Sequence, residues 1–121
     1  MVEGEVKNIC PLSINKAFQG RRFNTPEKEA YETACLLLLP KPPGSPVEGD
    51  VELELIFYLK HPKRSDTSNY IKIAEDVLVK KGYIRDDRQV ISLIARKEQS
   101  DEEGWRFRIS TLDWKYANWK N

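Results

Sequence analysis

A chain of 121 residues is the size of one domain with one core. With 40% hydrophobic and 32% charged residues it reads as globular rather than disordered, and its longest apolar run, Ala34 to Leu39, is far too short to span a membrane. A net charge of +1 excludes binding to nucleic acid through overall basicity, so any such contact rests on local patches. The basic residues do gather: Arg21 with Arg22; Lys60 with Lys63 and Arg64; Lys80 and Lys81 with Arg85 and Arg88. Charge counts alone favour an ordinary mixed, solvated surface. Cys10 and Cys35 form no Cys-x-x-Cys motif, and with the single histidine, His61, they match no zinc-ligand spacing. Two buried free thiols in a reducing cytoplasm are expected. Met1 to Ile9 lacks the apolar centre of a signal peptide.

In chain order, Glu5 to Ile9 alternates weakly and predicts a first strand, followed by a polar, basic loop from Pro11 to Asn24. Thr25-Pro26 reads as a helix start, a capping hydroxyl before a proline at the first helical position. Glu27 and Glu29 suit the positive end of that helix, and Pro40, Pro42 and Pro43 end it near Leu39. Pro40 to Asp50 is a proline- and glycine-rich connection within the domain. Val51 to Lys60 is the clearest strand: Val51, Leu53, Leu55, Phe57 and Leu59 share one face, with Glu52 and Glu54 on the other. Ile56 and Tyr58 make that second face apolar toward its end.

A loop from His61 to Ser68 leads into a helix over Asn69 to Lys81, stopped by Gly82. Tyr83 to Arg88 turns the chain into a Val- and Ile-rich strand, Gln89 to Lys97. A polar turn then precedes a last strand in which Trp105, Phe107 and Ile109 alternate with Arg106, Arg108 and Ser110. The last two strands are expected to pair as a hairpin. The order β-α-β-α-β-β, without an internal repeat, predicts an α+β fold with a mixed β-sheet and two helices packed on it.

The stretch that carries chemistry is Asp66 to Asp87. On a helical wheel Asn69, Lys72, Asp76 and Lys80 form a narrow stripe, while Tyr70, Ile73, Ala74 and Val77 face the core. Asp66 precedes the helix; Asp86 and Asp87 follow its cap. Two carboxylates held about 4 Å apart repel by roughly 4 kcal/mol at an effective dielectric near 20, a cost that a divalent cation removes. Oxygen ligands of this kind suit Mg²⁺ or Mn²⁺, which activates water and offsets charge on a phosphodiester; Lys72 is placed to hold the phosphate. Blander readings stand beside these: Asp66 as a helix cap, Lys72 and Asp76 as an i,i+4 surface pair, Asp86-Asp87 as a polar turn. No histidine pairs with a serine or cysteine nucleophile, and no glycine loop cradles a nucleotide phosphate.

In these residues the chain resembles the RusA family of Holliday junction resolvases. That family carries Asp-x-Asp-Asn, a Lys three residues on, Asp-x-Leu, a Gly, and Asp-Asp followed by Gln and Val or Ile. Asp66, Asn69, Lys72, Asp76, Leu78, Gly82, Asp86, Asp87, Gln89 and Val90 match it. Pro11, Ser13 and Asn15, with Arg21 and Arg22 after them, resemble the family's Pro-x-Ser-x-Asn loop and its following basic residues. The resemblance covers most of the chain and implies one endonuclease domain over residues 1–121. It further implies a cytoplasmic, phage- or prophage-associated homodimer that binds four-way DNA junctions and, with Mg²⁺ (Mn²⁺ substituting), nicks two strands symmetrically. Asp66, Lys72 and Asp87 match the essential residues. Asp66 and Asp87, helped by Asp76 or Asp86, would hold the metal, and Arg21, Arg22, Lys63, Arg64 and Asn69 would contact DNA. No nucleotide cofactor and no membrane are implied. One position departs: Ser68 stands where the family has its second Asp. The alternatives are therefore a branched-DNA-binding protein weakened in cutting, or an unrelated small α+β interaction protein.

Overall fold

The computed structural model describes residues 1–13, 18–19 and 23–112, with residues 18, 19, 23 and 24 described by backbone alone. Its elements are β1 (Val2–Lys7), β2 (Phe18–Gln19), β3 (Phe23–Asn24), α1 (Pro26–Leu38), β4 (Val51–Leu59), α2 (Ser68–Lys81), β5 (Val90–Gln99) and β6 (Gly104–Thr111). Short 3-10 turns occupy Pro62–Arg64 and Asp87–Gln89. The α+β arrangement is as expected: a four-stranded mixed sheet with two helices on one face.

Local chemistry explains most element ends. Thr25 caps α1, its hydroxyl accepting from the Lys28 N–H at 3.1 Å, with Pro26 in the first turn. Gly82 ends α2 at φ 93°, the left-handed region that glycine enters without a Cβ penalty. The first strand lies earlier than Glu5 to Ile9, because Val2 and Val6 pair opposite Ile109 and Trp105, and Asn8 turns the chain at φ 63°. The stretch expected as a loop from Pro11 to Asn24 contains the short antiparallel pair β2–β3.

The sheet order is β1-β6-β4-β5. The expected hairpin of the last two strands does not form: β5 runs parallel to β4, and β6 pairs antiparallel with β4 and β1. The reason lies in burial. Trp105, Phe107 and Ile109 are fully buried, so β6 needs strands on both sides beneath the helix layer. β5 leaves Ile91, Leu93 and Ile94 partly in solvent and tolerates an edge. A parallel β4–β5 pair requires a crossover, which α2 supplies. The link from β5 to β6 passes the end of β4, where Ser100 N–H donates to Leu59 O at 2.9 Å and Lys60 N–H to the Glu103 carboxylate at 3.1 Å.

One hydrophobic cluster joins Val6, Cys35, Leu39, the odd-numbered residues of β4, Tyr70, Ala74, Val77 and Leu78 with Trp105, Phe107 and Ile109. The even-numbered β4 residues are half-buried on the opposite face. Buried Glu32 of α1 takes Lys28 at 2.8 Å and Lys80 of α2 at 2.7 Å, an ionic clamp between the helices. Only one thiol is buried: Cys35 is enclosed, whereas Cys10 is exposed. It follows the end of β1, on the loop toward Pro11.

Candidate active site

Helix α2 presents the site because its core-facing residues leave little choice. Tyr70, Ile73, Ala74, Val77 and Leu78 are buried, so Asn69, Lys72 and Asp76 face outward. Lys80, on the same stripe, is committed to Glu32. At the amino end the cap position falls to Thr67, which makes no side-chain cap. Ser68 is the first helical residue and is exposed. Asp66 contributes its backbone carbonyl to Asn69 N–H at 3.1 Å, while its exposed carboxylate makes no hydrogen bond or ion pair among the described residues. Asp66 is among the residues lining a cavity of about 630 Å³, with Ser13, His61, Lys63, Arg64 and Asn69.

At the other end the chain doubles back. Val47 N–H donates to Tyr83 O at 2.9 Å, and Val47 bridges Ile84 in parallel. Gln89 then knots the turn. Its amide nitrogen donates to Val47 O and Gly49 O, each at 2.8 Å, and its amide oxygen accepts from Arg85 N–H at 2.7 Å and Asp86 N–H at 3.1 Å. The motif's glutamine is therefore the staple that holds Asp86-Asp87 in place.

This turn delivers Asp87 to α2. The Lys72 ammonium bonds Asp87 Oδ2 at 3.0 Å and Asp76 Oδ1 at 3.2 Å. The hydrogen bond to Asp87, then that to Asp76, raises the Lys72 pKa, so the lysine stays charged at any working pH. The described contacts bring together Lys72, Asp76 and Asp87; none of them joins Asp66 to that group. Asp86 points to other business: hydrogen bonds from the Arg88 side chain and N–H hold its carboxyl down to about 2.

Sequence reasoning missed Glu75, which stands three residues from Lys72 on the helix, a spacing that places the two side by side. Burial first, and then the negative charge of Asp87, raises its pKa; Lys72 opposes and Asp76 adds. A raised carboxylate pKa means that the ionised form costs stability, a cost absent in acid and complete at neutral pH. Glu75→Gln is therefore expected to stabilise the protein at pH 7 by a few tenths of a kcal/mol, after allowance for solvent screening. The gain should fade on acidification toward about pH 4, the ordinary glutamate range. Thermal melts of both proteins across that range check it, and a gain that grows in acid would overturn it.

The basic patches divide. Lys81 donates to Leu36 O, Arg85 pairs with Glu48, and Arg88 with Asp86. Lys63 and Arg64 are exposed beside the cavity and make no ion pair among the described residues. Arg21 and Arg22 lie outside the described residues.

Cutting a phosphodiester calls for acids that can hold a cation, a positive group to meet the phosphate and a basic approach for the strand. Helix α2 and the turns at its two ends carry residues of these kinds: Asp76 and Asp87 against Lys72, and Lys63 and Arg64 beside the cavity. A model of the endodeoxyribonuclease RusA family matches residues 13–110 of the 121, and the chain belongs to that family. Its members are Holliday junction resolvases, endodeoxyribonucleases that act on branched DNA in recombination and repair. A search of curated protein sequences finds no match. Among the described residues no helix is long and apolar enough to cross a membrane.

Proposed function

We propose that this chain resolves four-way DNA junctions by symmetric, divalent-metal-dependent nicking, as a homodimer of single endonuclease domains. The observation that carries this reading is the Lys72 ammonium held against Asp76 and Asp87 on α2, with Asp66, whose carboxylate makes no ion pair among the described residues, just before the helix. Asp66 and Asp87 are the metal ligands in this reading, and Asp76 is favoured as helper over Asp86, whose carboxylate Arg88 occupies. Among the described residues no three His, Cys, Asp or Glu side chains are gathered to hold an ion. Mg²⁺ does not ask for such a cage, since it takes one or two carboxylates and fills its shell with water and substrate phosphate. The hard oxygen donors fit Mg²⁺, with Mn²⁺ as substitute. When bound, the ion supplies a water of lowered pKa and charge to offset the phosphoryl oxygens. Lys72 holds the phosphate, and Lys63, Arg64, Asn69, Arg21 and Arg22 guide the strand.

Ser68 removes one charge from the family pattern but sits exposed beside Asp66, where water or a phosphate oxygen can take its place in the ion's shell. A retained activity is therefore favoured over a binding-only protein. The same reading makes it a cytoplasmic protein of phage or prophage origin. For the dimer, β5 offers an edge with Ile91, Leu93 and Ile94 exposed; Ile56 and Tyr58 are half-buried, and Trp114, Tyr116 and Trp119 lie outside the described residues. A nicking assay on a synthetic four-way junction, with and without Mg²⁺, tests the proposal. Paired nicks that need the metal support it, and binding without nicking under Mg²⁺ and Mn²⁺ selects the binding-only alternative.

Phosphate contacts position the DNA and set salt dependence. Lys63→Ala with Arg64→Ala is expected to flatten the log–log salt slope of junction binding by about one unit per lost contact, and Arg21→Ala with Arg22→Ala likewise. An unchanged slope for the first pair would place the DNA away from the cavity.

A further inference from the structure

Lys97 stands half-buried on β5 in register with Phe57 of β4, two steps beyond half-buried Ala95. An ammonium in such surroundings costs free energy unless its protons find acceptors. Its Nζ donates to Pro62 O at 2.5 Å and to Ser65 O. Both carbonyls belong to the turn between β4 and α2. The same turn is held from a second side, where the Ser65 and Tyr70 hydroxyls share a hydrogen bond and the Tyr70 ring lies 5.4 Å from that of Phe57. Besides these two anchors, within the turn Arg64 N–H donates to His61 O at 3.2 Å. This turn carries Lys63 and Arg64, and the next residue after its last anchor is Asp66.

We infer that Lys97 is a positioning residue of the nuclease site, fixing the Pro62–Ser65 turn and through it the Asp66 carboxyl. The inference rests on the reading of Asp66 as a metal-holding group. The physical argument is one of reach. Asp66 has a short side chain, so its oxygens move with the backbone, and a misplacement near 1 Å can cost about a hundredfold in rate. Lys63 and Arg64 carry long, flexible stems and recover a phosphate contact when the backbone shifts. Loss of Lys97 should therefore fall on turnover and metal use more than on junction affinity.

The test compares Lys97→Met, Lys97→Arg and Asp66→Asn with the wild-type chain, reading single-turnover nicking, junction Kd, the Mg²⁺ midpoint and amide exchange. Lys97→Met is expected to slow nicking by tenfold to about a hundredfold and to raise the Mg²⁺ midpoint, with Kd within about threefold. Exchange at Arg64 and Asn69 should quicken while β4 amides keep their protection. Lys97→Arg, which keeps charge and donors, should restore most of the rate; a general loss of stability would not give that pattern. Should Lys97→Met not fold, Lys97→Gln serves, with the same direction expected. Unchanged exchange at Arg64 and Asn69 overturns the inference whatever the nicking rate. So does normal nicking by Lys97→Met when Asp66→Asn is inactive. Full activity of Asp66→Asn instead removes the role of Asp66, while quickened exchange in Lys97→Met would still uphold Lys97 as the anchor of the turn.

Discussion

Asp66→Asn or Asp87→Asn is expected to slow junction nicking by about a hundredfold or more, on the order of 3 kcal/mol of barrier, while junction binding holds or tightens. Both substitutions keep shape and remove one negative charge. A metal-holding carboxylate loses its strongest interaction, whereas DNA approaching the same surface meets less repulsion. The two variants differ in a way that separates site from scaffold. Asp66 makes no ion pair among the described residues, so Asp66→Asn should leave the melting temperature unchanged. Asp87 receives Lys72 at 3.0 Å, so Asp87→Asn frees that ammonium to Asp76 alone and should lower stability slightly. Ser68→Asp is expected to lower the Mg²⁺ concentration needed for half-maximal nicking. Single-turnover nicking with a parallel gel-shift titration reads these effects, and an Asp66→Asn variant that cuts at the wild-type rate sinks the assignment.

Phe107→Ala is expected to cost about 3–5 kcal/mol, a large share of the 5–15 kcal/mol that holds an ordinary domain together. The ring is fully buried on β6, 4.7 Å from the Tyr83 ring and 6.2 Å from Trp105. Gly4 on β1 lies opposite, where a Cβ would come within 2.9 Å of the Phe107 ring, so no larger side chain fits there. The cavity left by alanine therefore has walls that cannot easily close: strand backbone on one side, Tyr83 on the other. Because Tyr83 begins the turn that delivers Asp87 to Lys72, the variant should also lose nicking at temperatures below its melt. Urea unfolding of Phe107→Ala measures the cost, and a midpoint equal to the wild type would mean that the core does not run through this ring.

The helices and the central strand were legible in the residues because their signals are local. Thr25-Pro26 and Gly82 act within a turn of their own position, and the alternation of β4 needs only a face to bury. Motif residues mapped onto a helix wheel put Lys72 beside Asp76 by spacing alone, and the folded chain adds Asp87. The role of Gln89 was not legible: a matching position says nothing of the four backbone groups its amide joins, and those come from Val47, Gly49, Arg85 and Asp86.

By itself, then, the order of residues determined which segments become helix and strand, which face of each is apolar, and which acids and lysine lie within a helical turn. Only the tertiary structure decided how the strands pair. Adjacent β5 and β6 invited a hairpin, yet burial of Trp105, Phe107 and Ile109 drew β6 between β1 and β4 and left β5 at the edge. It also decided which charges are paired among the described residues. Lys80 goes to Glu32 and Arg88 to Asp86, while Lys63 and Arg64 remain beside the cavity. Pairing partners far apart in sequence are chosen by the free energy of the whole core, which no local window contains.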